Sequence, residues 1–383
     1  MKLVYLADIR FPMERANGIQ TIETCHALAR RGVDVELVVR RSDGRSDEAC
    51  LAFFGLAPHP KLRLRRLGIP GRVGFFVAVA PILLASARED VIYSRDLVLA
   101  DLAMRLAAAP LVYEAHTVAS VFAEERARMY EGAKPPSKRK LARLDEREAR
   151  VCRGASGVVT ITSALLESLE TRHRPMGLAR VIRDGCRAPE TPLPRTDDHG
   201  PKVYYIGQLY PWKGVDVLIR AMARVASAEL VVVGGLPPEP DLERVRALTS
   251  ELSLGERVQF TGFLPPPELE AERRKAFVFV IPNLDSTTSR LYTSPLKLFE
   301  AMATGRPIVA SDLPSIREVL TNEENALLVP PGDSEALAAA IERLLTEPAL
   351  AERLAARAFE QVRDYSWESR AAAIEGLVRE IVR

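Results

Sequence analysis

The chain reads as an α/β protein made of two parallel-sheet domains in series, and three observations predict it. Short apolar stretches alternate with helical stretches, the pattern of strands buried on both faces of a parallel sheet. An aperiodic stretch rich in proline and charge, Pro189 to Pro201 (PETPLPRTDDHGP), interrupts that alternation about halfway along the 383 residues. The alternation then restarts with no close repeat of the first half. These features place a first domain at 1–190, a linker at 191–201, a second domain at 202–365 and a closing helix at about 366–383.

Taken in order, KLVYLADI is the first strand, and the loop FPMERANG leads into a helix, IQTIETCHALARRG. Ile19, Ile22, Cys25, Leu28 and Ala29 share one face of it, and Gly32 suits its C-terminal cap. VDVELVVR, VIYS and PLVYEAH are further strands, and GVVTIT follows a helical stretch from about Pro136 to Arg153. Phe75 to Ala87 (FFVAVAPILLASA) is the longest apolar run. Its 13 residues, with Pro81 inside, are too few to cross a bilayer, so it reads as a buried helix. Beyond the linker, KVYYIG, ELVVVGG, VQFTG, FVFVIPN, PIVAS and ALLVP are strands with helices between them. YTSPLKLFEAMATGRP holds a short helix on which Leu296, Phe299, Glu300 and Ala303 recur at helical spacing, closed by Gly305 and Pro307.

Net charge is 53 − 51 = +2, but the halves differ. Residues 1–190 carry 31 basic and 23 acidic side chains (+8), which leaves 22 and 28 (−6) for 191–383. A basic half suits an anionic partner such as lipid headgroups or a lipid-linked phosphate; a solvated surface explains it equally. For the basic runs Lys61 to Arg66 and Lys134 to Arg153 a solvated face is the default, and an acceptor- or membrane-facing surface the minority reading. No aromatic residues alternate with them, so no nucleic-acid platform is indicated. Four scattered cysteines lack metal-ligand spacing and read as reduced thiols. With no visible signal peptide, the expectation is a cytoplasmic protein, able to lie at the inner face of the cell membrane.

Ligands of open parallel sheets bind beyond the carboxyl ends of the strands. That rule nominates the loop at Asn17 and Gly18, Ser94 to Asp96, His116, Gln208 to Gly214, Gly234 and Gly235, and Asn283 to Pro295. In two such domains facing each other, these loops line a cleft. RANGIQT puts Gly18 immediately before a helix, where close approach and free N–H groups suit phosphate; a turn glycine is the alternative. His116 follows a strand directly and can donate to a sugar hydroxyl or shield a cationic transition state, or be structural. Lys213, in GQLYPWKG near a helix start, can hold a diphosphate, or be a surface lysine. Glu300 is a carboxylate on or beside a buried face, so either a ribose diol or an internal cation, Lys297 or Arg306, must satisfy it. GxGxxG after the first strand, HExxH, the P-loop and GxSxG are all absent, against dehydrogenase, metalloprotease, Walker NTPase and α/β-hydrolase readings.

YIGQLYPWKGVDVLIRAM, SPLKLFEAMATGRPIVASDLPSIREVL and NALLVPPGD, with ADIRFPMERANGIQTIETCHALARRG, YEAH, GVVTITSALLESL and VIRDG earlier, resemble the retaining glycosyltransferases of family 4, group 1. The resemblance runs nearly end to end. It implies the GT-B fold, two Rossmann-like domains facing a deep interdomain cleft. The first domain would take the acceptor and the second the nucleotide-sugar donor, with the closing helix after Trp367 packing back on the first. By position, His116, Lys213 and Glu300 would carry catalysis. Gly18, Gly207, Gln208, Lys213, Arg290, Ser294, Leu296 and Glu300 would bind the donor, with Lys213 on the diphosphate and Glu300 on the ribose. Asp184 and Gly185 match the turn before the linker. Three positions depart from the family's pattern: Tyr292 stands where the first of a pair of glutamates is usual, Gln208 where arginine is common, and Pro295 where glycine is. Arg290 would supply the charge that Gln208 lacks.

The implied reaction moves a sugar from a nucleoside diphosphate to a carbohydrate or lipid-linked acceptor with retention. No acidic DxD cluster appears, so no metal and no cofactor are expected. A catalytically degenerate nucleotide-sugar-binding subunit and a GT-B sugar-nucleotide epimerase are the alternatives.

Overall fold

The structure, a computed structural model, describes residues 2–13, 15–129, 134–174, 176–196, 200–235 and 240–383. Glu14 of the first loop and residues 197–199 of the expected linker lie outside the described residues. The chain forms two compact units. One comprises Met1–Gly185, Tyr292–Ser294 and Trp367–Arg383, the other Cys186–Leu291 and Pro295–Ser366.

The first unit is built on β1 (Lys2–Phe11), β2 (Asp34–Arg41), β3 (Leu62–Leu67), β4 (Val91–Ser94), β5 (Leu111–Ala115), β6 (Gly157–Thr160) and β7 (Leu178–Val181). All pair in parallel, in the order β3-β2-β1-β4-β5-β6-β7. Strands β4, β5 and β6 are buried along their whole length, which is why they read as unbroken apolar runs. The order reverses between β1 and β4, so the segments after those two strands flank the switch point where such sheets take ligands. The helix Ala16–Arg30 follows β1. Gly32 ends it with φ +93°, its N–H on the Ala29 carbonyl at 2.9 Å. The closing helix Trp367–Ile381 packs on Ala16–Arg30, burying Trp367, Ala371, Ile374, Leu377 and Val378, with Arg31 Nε 2.7 Å from Glu375.

Two readings change here. The basic run at Lys61 to Arg66 is mostly the edge strand β3, with Leu62 and Leu64 buried while Arg63 and Arg65 point out, a pattern that blunts an open edge. The apolar run at Phe75 belongs to a helix, Gly71–Leu84, that is buried on one side only: Phe75, Val79, Ile82 and Leu83 face in. Val73, Val77 and Leu84 face solvent at 75%, 68% and 66% exposure. Sequence could not separate the sides because both are apolar. No helix among the described residues is long and apolar enough to cross a membrane.

The second unit carries β8 (Lys202–Ile206), β9 (Glu229–Val233), β10 (Val258–Gly262), β11 (Val278–Ile281), β12 (Ile308–Ser311) and β13 (Leu327–Val329). They form a parallel sheet in the order β10-β9-β8-β11-β12-β13. Alternate residues serve opposite cores: Val203 and Tyr205 pack on one side, Tyr204 on the other, as the two-residue period of a strand requires. Here the order reverses between β8 and β11. The segments after those strands contain Gly207 to Lys213 and Asn283.

Candidate functional site

In the first unit the polar centre is Glu114, on fully buried β5. Its Oε1 accepts from Gln20 Nε2 at 2.6 Å and from His116 Nε2 at 2.6 Å. Arg370 Nη2 reaches both carboxylate oxygens at 2.7 Å, and the Tyr93 hydroxyl donates to Oε2. Burial alone would raise the Glu114 carboxyl, but Arg370, His116 and Arg95 outweigh it and hold it well below the usual carboxylate range. An ionised carboxylate only accepts, so His116 Nε2 carries the proton. Burial, then the Arg95 charge, lowers the His116 pKa against the pull of Glu114. The ring is therefore neutral at pH 7, with Nδ1 as an acceptor for which no partner is found among the described residues. Nδ1, not the Nε2 proton, is what a ligand hydroxyl can meet.

Gly18 lies in the first turn of Ala16–Arg30 rather than before the helix, and its N–H already bonds the Arg15 carbonyl at 2.8 Å. A Cβ there would stand 2.5 Å from the Met13 carbonyl, so glycine is required by that close approach. Gln20, on the same helix, bonds both Glu114 and Arg95, the latter at 2.6 Å. Gly18 and His116 are thus joined through Gln20 and Glu114. Ser294 also belongs to this unit, where its Oγ accepts from the Asp184 N–H at 3.2 Å. Tyr292 is buried, with its hydroxyl 3.5 Å from Ser168 Oγ.

In the second unit Lys213 ends a short turn, Pro211–Lys213, just before Gly214. Gly214 has φ +68°, and a Cβ there would fall 2.0 Å from the Pro282 carbonyl. That contact fixes Lys213 beside the end of β11, where buried Asn283 has an unpartnered Nδ2 among the described residues. Burial, with the neighbouring Lys297 charge, pushes the Lys213 pKa down to about 8. No carboxylate among the described residues pairs with its ammonium.

Glu300 sits on the helix Leu296–Thr304, which Gly305 ends with φ +68°. Its Oε2 pairs with Arg273 at 2.8 Å and Lys297 at 3.1 Å. Burial pushes its carboxyl up, but those two cations outweigh it and bring it to about 2. Of the two internal cations considered for Glu300, Lys297 serves. Arg306 instead donates to the backbone carbonyls of Ala276 and Leu193, each at 3.0 Å. Both cations address Oε2. Lys213, Lys297, Arg273 and Glu300 form one cluster carrying more positive than negative charge. Leu296, the first residue of the helix, is buried. Gly207 and Gln208 lie after β8, with the Gln208 carbonyl accepting from Tyr205 at 2.7 Å. Arg290 pairs with Asp285 at 3.4 Å, both about half exposed.

The residues that sequence reading passed over are Glu114, Arg370, Gln20 and Arg273, while Arg95 and Asn283 lay in nominated segments without a role of their own. Two had a visible signal. Glu114 is a carboxylate inside an apolar strand, and Arg370 falls on the apolar side of a helix with Trp367 and Ile374; such charges are rarely buried unpaired. Among the described residues no group of three His, Cys, Asp or Glu side chains could hold a metal ion.

A family model described as "Glycosyl transferase 4-like domain" matches residues 18–185, and one described as "Glycosyl transferases group 1" matches 200–347. A D-inositol 3-phosphate glycosyltransferase of Rhodococcus erythropolis is 29% identical over 386 residues, 92% of this chain and 83% of that protein. Among solved structures, a sucrose-phosphate synthase from Thermosynechococcus elongatus gives a TM-score of 0.77 at 23% identity, over 100% of this chain and 99% of that one. Anabaena HepE in complex with UDP and glucose gives 0.74 at 20% identity, over 98% of each. At those identities the two structures speak for the fold, GT-B. The two family matches follow one another along one chain in the same order as its two sheets, and the chain belongs to the group 1 glycosyltransferases of family 4.

Proposed function

We propose that this glycosyltransferase takes its sugar from a nucleoside diphosphate and transfers it with retention to a carbohydrate or lipid-linked acceptor. The observation that carries this is Lys213: a partly buried ammonium with no carboxylate partner among the described residues, beside Lys297 and the start of the helix Leu296–Thr304. A partly buried cation in that state favours an anion. A helix N-terminus with two lysines suits a diphosphate, whose charge grows as it leaves. The Anabaena neighbour, solved with UDP and glucose, agrees with that donor class.

In the reaction the bond from the anomeric carbon to the phosphate oxygen breaks, and its electron pair stays on the phosphate. The acceptor oxygen bonds the same face of the anomeric carbon and passes its proton to the departing phosphate oxygen. Lys213 and Lys297 stabilise that oxygen, Glu300 Oε1 takes the ribose diol, and neutral His116 accepts a hydroxyl hydrogen bond at Nδ1. The cations supply the charge that a divalent metal would otherwise bring, so transfer proceeds without added metal. Gly18, Gly207, Gln208, Leu296 and Ser294 belong to the donor surroundings in this reading, and Arg290 adds charge by leaving its exposed pair with Asp285.

The test is release of UDP or GDP from sugar nucleotides in the presence of acceptor and EDTA. Lys213→Ala and Glu300→Ala should each abolish turnover with the fold retained. Glu300→Ala should also lose the preference for ribonucleotide over 2′,3′-dideoxyribonucleotide, about 10-fold or more for charged hydrogen bonds of about 1.5–3 kcal/mol. Wild-type turnover in both variants refutes the site.

A membrane-facing acceptor has its own support. The helix Gly71–Leu84 exposes Val73, Val77 and Leu84. The helix Leu97–Leu106 packs against both it and Lys138–Gly154, which exposes Lys138, Arg139, Lys140 and Arg143. An exposed apolar stripe and an exposed basic one in the same unit suit an anionic bilayer surface. Sedimentation with phosphatidylglycerol vesicles but not phosphatidylcholine, lost in Val73→Ser/Val77→Ser, is the expected result. Equal recovery with both lipids removes this reading.

A further inference from the structure

His116 stands at the end of a chain of buried contacts that begins on the closing helix. Arg370 is almost fully buried there. It donates to Thr24 Oγ1 at 3.1 Å, to the Ile182 and Arg183 carbonyls at 2.9 Å, and to both oxygens of Glu114 at 2.7 Å. These bonds fasten the guanidinium to the first helix and to the segment after β7. The carboxylate is held in one orientation, and its Oε1 meets His116 Nε2 at 2.6 Å. We propose that Arg370 is a positioning residue for transfer: by orienting and ionising Glu114 it keeps the His116 proton on Nε2 and leaves Nδ1 as the acceptor. This rests on the reading that His116 serves the reacting sugar.

The charged and titratable groups around the ring come from several elements. Glu114 lies on β5, Arg95 after β4, and Asp184 after β7. Behind Glu114 stand Arg370 on the closing helix, Tyr93 on β4, Tyr5 on β1 and Cys25 on the first helix. Burial raises the Asp184 carboxyl against the pull of Arg370, 3.9 Å from its Oδ1. Arg370 is therefore the buried cation shared by two carboxyl groups. Without it, His116 is a nearby side chain able to supply a positive charge, so its proton affinity must rise.

The experiment follows the His116 ring nitrogens by 15N NMR against pH, assigned through His116→Gln, alongside kcat and KM. In the wild type the ring should be neutral at pH 7 with its proton on Nε2. In Arg370→Met its titration should move up by about one pH unit or more, and the acid limb of kcat should move with it while the donor KM stays put. Arg370→Lys, which keeps the cation, should reverse part of that shift. A merely structural arginine would lower the melting temperature and leave the limb in place. Where Arg370→Met does not fold, Arg370→Met/Glu114→Gln removes both charges and avoids a lone buried one. His116 should then titrate lower than in the wild type, with both tautomers present. Wild-type titration in the folded variant of either kind overturns the proposal. The ring titration needs no substrate, so a shift as stated with no sugar transfer by the wild type leaves the positioning role standing and refutes the transferase assignment of His116.

Discussion

Arg370 Nη2 lies 2.7 Å from each oxygen of Glu114, across 256 positions of sequence, and the two side chains are 2% and 0% exposed. Removing water from two charges is costly, and only mutual pairing with further hydrogen bonds offsets it. Tyr93, Gln20 and His116 supply those bonds on the carboxylate side, while Thr24 and two carbonyls supply them on the other.

Glu114→Ala strands the Arg370 guanidinium and should cost about 3–5 kcal/mol, read as a lowered midpoint in urea unfolding. The neutral replacement Glu114→Gln/Arg370→Met should cost clearly less than the sum of the single changes. Additive losses would show that the pair is not coupled.

Donor affinity should depend on pH through Lys213. Its ammonium, brought to about 8 by burial and by Lys297, must be protonated to hold a diphosphate. Calorimetric affinity for the nucleoside diphosphate should be level below that pH and fall above it, up to tenfold per pH unit in the limit. Lys213→Arg stays charged at pH 9.5 and should remove the decline.

Glu300 should help set acid stability. Its folded carboxyl, at about 2, lies below its ordinary value of 4.5. A depressed carboxyl contributes stability that is present above the unfolded value and lost as pH falls through the folded one. The contribution therefore fades between about pH 4.5 and 2. Thermal melts of Glu300→Gln should show a flatter decline across that window than the wild type.

Gly214→Ala should disable the second unit's loop. Alanine resists a φ of +68°, and its Cβ would fall 2.0 Å from the Pro282 carbonyl. A loss of more than about 2 kcal/mol is expected from the backbone conformation and the clash together. Urea unfolding measures it, and diphosphate affinity should fall because Lys213 precedes the displaced residue.

Much of the fold was legible because parallel strands buried on both faces must be apolar throughout. VIYS, LVYEA and GVVT announce themselves as β4, β5 and β6 for that reason. Edge strand β3 was read only as a basic run because Arg63 and Arg65 face water between buried Leu62 and Leu64. The place of Lys213 between a strand and a helix, with Gly214 after it, was legible as well, since all of it falls in one continuous stretch of chain.

Sequence by itself determined the alternation of elements, the family and the residue types on offer. Periodicity and motif order are local, and local spacing fixes them. Only the tertiary structure decided what those residues meet. Glu300 needed a partner, and sequence proximity offered Lys297, but Arg273 came from a different helix. Glu114 and His116 are two residues apart, yet the arginine that ionises the carboxylate arrives on the closing helix. Charge pairing acts through space over a few ångströms, whatever the number of residues between. That is why the chain could name His116 but not the side chain that sets its proton.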